Sequence, residues 1–133
     1  MIKKVSHIGI AVNSIEEAAK LYTDVLGLKI KEIETVPDQK VRIAIIPVGD
    51  TRIELLESTD PEGPIAKHIS NRGEGLHHIA LEVDDIRASL DAMLKKEIPL
   101  IDKTPRIGGG HAQIAFLHPK ATKALIELTQ PAE

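Results

Sequence analysis

Two histidines and two glutamates occupy matching places in the two halves of this chain of 133 residues. His7 is followed 71 residues later by His78, and Glu54 is followed 73 residues later by Glu127. Neutral imidazoles and carboxylates together suit a divalent ion such as Co²⁺, Mn²⁺, Ni²⁺, Zn²⁺ or Fe²⁺. This set leaves room for a substrate to coordinate, as catalytic ions require. The pattern therefore predicts one metal site with these four ligands.

The sequence around these residues also repeats, at the same offset of 71 residues as the two histidines. The second copy has two extra residues before its glutamate, which explains the offset of 73. The repeat makes a chance origin of the four residues less plausible. Residues 6–12 match 77–83, residues 13–15 match 84–86, and residues 43–46 match 114–117. A lone strand histidine is usually an ordinary core or surface residue, but folding alone would not preserve a His and a Glu in both copies. Because neighbouring strand residues point to opposite faces, only one of His77 and His78 can face the site, and the alignment with His7 selects His78.

Each copy predicts a strand, a helix and three further strands. A capping box at Ser14 and Glu17 begins the first helix, and Gly27 ends it. Helical spacing predicts two buried stripes, Ile15, Ala18, Ala19, Tyr22, Val25 and Leu26 in the first helix and Ile86, Leu90, Met93 and Leu94 in the second. A short helix is expected around 65–71, and the glycines at 108–110 predict a flexible hairpin.

These elements predict an α+β fold. Two tandem βαβββ modules would form a cupped, mostly antiparallel eight-stranded sheet around a metal cleft. We expect one domain over residues 1–133, with module one at 1–58, a connector at 59–75 and module two at 76–133.

Composition excludes several classes of function. Lys and Arg number 17 against 20 acidic residues, and Tyr22 and Phe116 are the only aromatics, so a nucleic-acid partner is not expected. No apolar run approaches the roughly 20 residues of a membrane span, and the N-terminus does not have the pattern of a signal peptide. The chain has no cysteine, which suits a reducing compartment, and we expect a cytoplasmic protein.

The repeated module with its His and Glu resembles the vicinal oxygen chelate superfamily over essentially the whole chain. Within it, residues 75–86, residues 116–120 and residues 125–130 are similar to the methylmalonyl-CoA epimerase family. The resemblance implies epimerisation of (2R)- and (2S)-methylmalonyl-CoA, by proton transfer at C2 through a metal-stabilised enolate. It also implies a divalent ion, Co²⁺ before Mn²⁺, Ni²⁺ or Zn²⁺, an acyl-CoA substrate and a homodimer.

One position departs from the family pattern. Some of these epimerases carry a second catalytic Glu where this chain has Ile43, and some relatives have Gln where it has Glu54. We therefore hypothesise that Glu54 and Glu127 are the two catalytic bases, one on each side of C2. Lys120, Arg106 and His118 are expected to bind substrate.

Two alternatives stay open at this point. A His, Glu, His, Glu set also serves glyoxalase I enzymes, the lactoylglutathione lyases of the same superfamily. The fold also serves non-catalytic small-molecule-binding proteins, but these typically lose the metal ligands, and all four are kept here.

Overall fold

A computed structural model describes all residues 1–133. The chain divides into two compact units, residues 7–77, and residues 78–133 together with residues 1–6. The division of a single domain into modules at 58 and 75 stays a prediction.

The first unit contains a βαβββ motif and a further helix, although residues 2–6 of the first strand belong to the second unit. Its last strand pairs in parallel with its first strand and antiparallel with the strand between, which in turn pairs antiparallel with the outer strand. The elements are β1 (Ile2–Ala11), α1 (Ile15–Lys20), a π-helical turn (Leu21–Val25), β2 (Glu32–Val36), a 3₁₀ turn (Pro37–Gln39), β3 (Val41–Val48), β4 (Thr51–Ser58) and α2 (Pro64–Arg72).

The second unit repeats the motif with a shorter outer strand. Its first and last strands again pair in parallel, and the two strands that remain pair antiparallel. The elements are β5 (Gly75–Val83), α3 (Ile86–Lys95), β6 (Arg106–Ile107), a 3₁₀ turn (Gly109–His111), β7 (Gln113–Leu117), α4 (Pro119–Thr122) and β8 (Ile126–Gln130).

The strands of the first βαβββ motif lie in the order β2-β3-β4-β1 and those of the second in the order β5-β8-β7-β6, so the chain has eight strands with parallel and antiparallel pairs in each motif. The predicted α+β class, the two βαβββ modules and the strand number are confirmed, and α2 covers the helix expected at 65–71. The parallel pairs β1–β4 and β5–β8 follow from the motif, because the helix carries the chain back before the last strand is added. No helix is both long and apolar enough to cross a membrane.

Successive side chains of β3 and β4 point to opposite faces of these strands, so the first unit has two apolar clusters, one on each face. The second unit has one apolar cluster. In the first unit, one cluster gathers around α1 and the other around α2. The three clusters consist of Val12, Ile15, Ala19, Ala44, Ile46 and Leu55; Ala11, Val36, Val41, Ile43, Leu56 and Ile65; and, in the second unit, Val83, Ile86, Leu90, Ala115, Leu117 and Leu128.

Both module helices begin with the same pair of devices. Ser14 Oγ accepts a hydrogen bond from the Glu17 N–H at 3.2 Å, and Asp85 Oδ1 accepts from the Ala88 N–H at 3.0 Å. A side chain from the last strand also accepts from the first helical N–H: Glu57 Oε1 from Ile15 and Gln130 Oε1 from Ile86, each at 2.8 Å. These carbonyl and carboxylate oxygens satisfy N–H groups that have no partner within the helix, which fixes where each helix starts.

Two details of the helix predictions are wrong. The Glu17 carboxylate pairs with Lys20 Nζ at 3.4 Å and does not reach back to the helix start, where Glu57 Oε1 accepts from the Ile15 N–H. Val25, Leu26 and Leu94 are exposed, although Ile15, Tyr22 and Met93 pack as expected. In α1 the cause is the change to π-helical geometry at Leu21, since a wider turn rotates the following residues off the apolar stripe.

Candidate active site

The first half-site consists of His7 on β1 and Glu54 on β4. In the parallel β1–β4 pair, His7 is opposite Arg52 and Gly9 is opposite Glu54, so all four residues face the same side of the sheet. His7 Nε2 lies 3.5 Å from Glu54 Oε1, and both residues are buried. Glycine at position 9 puts no side chain opposite Glu54, which leaves the carboxylate room to lean toward the imidazole.

The second half-site repeats this arrangement with His78 on β5 and Glu127 on β8. His78 Nε2 lies 3.4 Å from Glu127 Oε1, and both residues are buried. The residue opposite Glu127 is the small Ala80, which corresponds to Gly9. The repeated sequence therefore produces the same His–Glu contact twice.

Each half-site offers a potential pair of metal ligands, one imidazole and one carboxylate. All four side chains are buried. Buried imidazoles and carboxylates form a donor set that fits a divalent ion of the first transition series.

His7 is held in its neutral form. Burial, and after it the charge of Arg52, lowers the pKa of His7 from 6.5 to about 3. At neutral pH the contact between His7 and Glu54 is therefore not an ion pair, and the imidazole keeps a lone pair that a metal could use.

Opposing influences act on Glu54. Burial raises the pKa of the Glu54 carboxyl, the charge and hydrogen bond of Arg52 lower it, and the charge of Glu34 raises it. The net direction is upward. A carboxylate with a raised pKa is a stronger base, which is what proton abstraction from carbon requires.

Ile43 is part of the α2-side core and carries no proton-transfer group. Glu34 on β2 is directly opposite Ile43, and Ile45 is opposite Glu54 on the neighbouring strand. Since residues two apart on a strand share a face, Glu34 and Glu54 are on one face of the sheet. The sequence pattern did not identify Glu34, because its position depends on strand register.

His77 does not share the surroundings of His78. Its ring packs edge-on against His68 of α2, with ring centroids 4.8 Å apart. Burial and the neighbouring His68 lower the pKa of His77 to about 4.

The three residues expected to bind substrate have structural contacts of their own. Arg106 Nε is 3.4 Å from Asp102 Oδ1, and its guanidinium stacks over Phe116 at 5.4 Å from the ring centroid. Phe116 meets His78 edge-on at 5.7 Å, so Arg106 is one side chain removed from a candidate ligand.

His118 caps α4, because its Nδ1 accepts from the Lys120 N–H at 3.0 Å. Lys120 is exposed on that short helix, and its carbonyl accepts from Lys123 Nζ at 3.3 Å. Substrate binding by these two residues and by Arg106 stays a prediction.

Arg52 is the charged neighbour that the repeat did not reveal. Its Nε donates to Glu54 Oε2 at 3.0 Å, and its Nη2 lies 3.2 Å from His7 Nδ1. The alternation of β4 could have indicated it, since Arg52 is two residues before Glu54 and therefore on the same face.

Comparison with known proteins places this architecture in a family. Residues 6–116 match the model of the Glyoxalase/Bleomycin resistance protein/Dioxygenase superfamily. The ethylmalonyl-CoA/methylmalonyl-CoA epimerase of Cereibacter sphaeroides is 35% identical over 133 residues, which cover 98% of this chain and 99% of that protein.

Solved structures agree over the whole length. Methylmalonyl-CoA epimerase from Mycobacterium tuberculosis superimposes with a TM-score of 0.94 at 32% identity, covering 99% of this chain and 90% of the other. A methylmalonyl-CoA epimerase in complex with methylmalonyl-CoA and NH4⁺ gives a TM-score of 0.92 at 29% identity, covering 99% and 96%. The chain therefore belongs to the Glyoxalase/Bleomycin resistance protein/Dioxygenase superfamily, and its relatives within that superfamily include the methylmalonyl-CoA epimerases.

Proposed function

We propose that this protein epimerises (2R)- and (2S)-methylmalonyl-CoA by moving the proton at C2. The observation that carries the proposal is the His–Glu contact repeated in both halves of the chain, at 3.5 and 3.4 Å. It is supported by the full-length similarity to an epimerase that acts on ethylmalonyl-CoA and methylmalonyl-CoA.

The substrate makes the reaction a matter of proton transfer. C2 lies between a thioester carbonyl and a carboxylate, and the thioester makes its C–H bond acidic. When a base removes this proton, the bonding electron pair moves to the thioester oxygen and an enolate forms. Returning a proton to the opposite face inverts the centre, so the reaction needs a proton-transfer group on each side of C2.

We assign these two roles to Glu54 and Glu127. Both side chains are buried. For Glu54, burial is the largest influence on the carboxyl and raises its pKa, which makes the carboxylate a stronger base. Ile43 cannot take part in proton transfer, and we take the buried carboxylates of the two half-sites as the candidate pair.

The metal ligands in this proposal are His7, Glu54, His78 and Glu127. When bound there, a divalent ion supplies positive charge beside the oxygen atoms where the reaction develops negative charge. The role of the protein is to hold two neutral imidazoles and two carboxylates in place and to keep them out of water. The identity of the ion as Co²⁺ stays a prediction.

The substrate class is an acyl-CoA thioester, as in the solved epimerase complex. We propose Arg106, Lys120 and His118 as contacts to its carboxylate or phosphates. Homodimerisation and a cytoplasmic location stay predictions.

Deuterium exchange at C2 tests the proposal directly. The purified protein is loaded with Co²⁺ and incubated with methylmalonyl-CoA in D₂O, and deuterium at C2 is followed by mass spectrometry. We expect catalysed exchange together with loss of optical purity. A parallel assay with methylglyoxal and glutathione covers the lactoylglutathione lyase alternative. Turnover in that assay without exchange at C2 would replace the proposed function with that alternative.

A further inference from the structure

Arg52 connects the two members of the first half-site. Its guanidinium donates through Nε to Glu54 Oε2 at 3.0 Å and reaches His7 Nδ1 with Nη2 at 3.2 Å. The same glutamate approaches His7 Nε2 with its other oxygen at 3.5 Å. The three side chains therefore form a closed ring of polar contacts.

We propose that Arg52 is a positioning residue that holds His7 and Glu54 in a metal-free arrangement and competes with the divalent ion for both. The inference rests on the metal site of the proposed function and deepens it. It concerns binding of the ion, so it can be tested without measuring turnover.

The contact between Arg52 and His7 determines which ring nitrogen of His7 carries the proton. A guanidinium can only donate hydrogen bonds, so His7 Nδ1 must be the acceptor. A neutral imidazole has one protonated nitrogen, and the proton is therefore on Nε2, the nitrogen that faces Glu54.

An ion bound by Nε2 needs the lone pair of that nitrogen, and the proton then belongs on Nδ1. Metal-bound histidines usually donate this N–H to a carboxylate, a carbonyl or water, and a guanidinium accepts no hydrogen bond. Binding of the ion therefore breaks the contact between Arg52 and His7.

Arg52 also competes with the ion for the carboxylate of Glu54. Arg52 donates to one oxygen of this carboxylate at 3.0 Å and offsets part of its negative charge. Without the guanidinium, the carboxylate keeps its full charge for the ion. Removal of the positive charge of Arg52 also favours binding of the divalent ion directly, because the two cations no longer repel each other.

The side chain of Arg52 is partly exposed and can move away from His7 and Glu54 into solvent. Its side chain is 39% exposed, whereas those of His7 and Glu54 are each 8% exposed. The guanidinium can thus turn to solvent once a bound ion supplies the positive charge beside the buried Glu54.

The second half of the chain lacks this competitor. Glu127 corresponds to Glu54, and the residue two positions before Glu127 is Leu125. The uncharged leucine has no guanidinium to offer His78, so only one half-site has a positive charge of its own at this position.

Calorimetric titration of the metal-free protein with Co²⁺ and with Mn²⁺ tests the proposal. We expect Arg52→Met to bind the ion about tenfold more tightly than the wild type, because a charge-assisted contact no longer has to be broken. Arg52→Lys keeps a charge but has no fork to span both partners, and its affinity should lie between the two. Equal or weaker binding by Arg52→Met would overturn the proposal.

Arg42→Met is the matched control. Arg42 is also a strand arginine and pairs with Glu57 at 3.0 Å, but it does not contact His7 or Glu54. We expect wild-type affinity in this variant. A comparable gain there would mean that any lost arginine tightens binding, which also contradicts the proposal.

The position of the His7 proton is an independent readout. Long-range ¹H–¹⁵N spectra of the metal-free wild type should place it on Nε2, and Arg52→Met should shift the proton toward Nδ1. A proton on Nδ1 in the wild type would exclude the contact and with it the proposal. Failure of the proposed function is a different result, namely no exchange at C2, and leaves both measurements in force.

Discussion

The two half-sites share a backbone arrangement and differ in the residues around it. In the first, Arg52 touches both His7 and Glu54. In the second, the aromatic ring of Phe116 packs edge-on against His78 at 5.7 Å. The residue corresponding to Phe116 in the first half is Ile45, and each is opposite the glutamate of its own half.

The two half-sites have the same strand pairing but different neighbouring side chains. Strand pairing alone brings a His and a Glu together in both halves. The neighbours then determine how each carboxylate behaves, and in the first half a charged neighbour opposes the effect of burial on Glu54. We infer that the second half-site mainly holds the ion, because Arg52 competes with the ion for Glu54 in the first, and that Glu54 acts mainly in proton transfer.

Substitution of the two glutamates should have the largest effect on turnover, and the metal content of the variants should differ between the two half-sites. Glu127→Gln is expected to lower turnover about a thousandfold or more and to lose most of the metal. Glu54→Gln should lower turnover about a hundredfold to a thousandfold, within the range for a lost general base, while metal content stays close to that of the wild type. Exchange at C2 and elemental analysis of the same samples measure both.

Two results would break the comparison between the half-sites. Equal loss of metal in the two variants would make the glutamates equivalent ligands. Retained metal with nearly unchanged turnover in Glu54→Gln would assign the proton transfer to another residue or to water.

Acidification should destabilise the metal-free protein through the first half-site. The pKa of His7 is 6.5 in its ordinary state and about 3 when folded, so the unfolded chain binds a proton that the folded chain does not. The stabilisation is complete above pH 6.5 and is lost as the pH falls toward 3, at up to about 1.4 kcal/mol per pH unit.

Urea unfolding between about pH 7 and pH 4 measures this loss. His7→Gln should make the pH dependence shallower, while the lowered pKa of His77 keeps part of it in place. The control is His111→Asn, which changes an exposed histidine and should follow the wild type. An unchanged slope in His7→Gln would show that other groups cause the acid sensitivity.

The helix caps should show a smaller difference between the halves. Glu57→Ala removes the acceptor for the Ile15 N–H and the partner of Arg42, whereas Gln130→Ala removes only the acceptor for Ile86. We expect losses of about 2 and about 1 kcal/mol in the free energy of unfolding.

Glu57→Gln keeps an acceptor and should recover most of the loss. Chemical denaturation of the three variants measures the differences, and a Gln130→Ala variant less stable than Glu57→Ala would reverse the expected order.

The order of elements could be predicted because a repeat is a property of the linear sequence. Matching residues 6–12 and 77–83 identified β1 and β5, and a His and a Glu at equivalent positions of each copy identified both half-sites. The contact between Arg52 and His7 could not be predicted, since it depends on the register between β1 and β4. Glu34 was missed for the same reason, because only the β2–β3 register places it opposite Ile43.

The helix ends were harder for a different reason. The apolar spacing of the first helix continues to Leu26, but the chain changes to π-helical geometry at Leu21 and exposes Val25. A periodicity of about 3.6 residues assumes a constant turn, so it cannot detect a local change of pitch.

The parallel pairing of the first and last strands in each module also has a consequence for folding. The His is on the first strand and the Glu on the last, so a partly synthesised or partly folded module has only one of the two donors in place. Such long-range parallel pairings form slowly, because the whole intervening chain must be ordered first. A divalent ion therefore stabilises only a module that has already closed, and slow binding of the ion during refolding would report the last step of assembly.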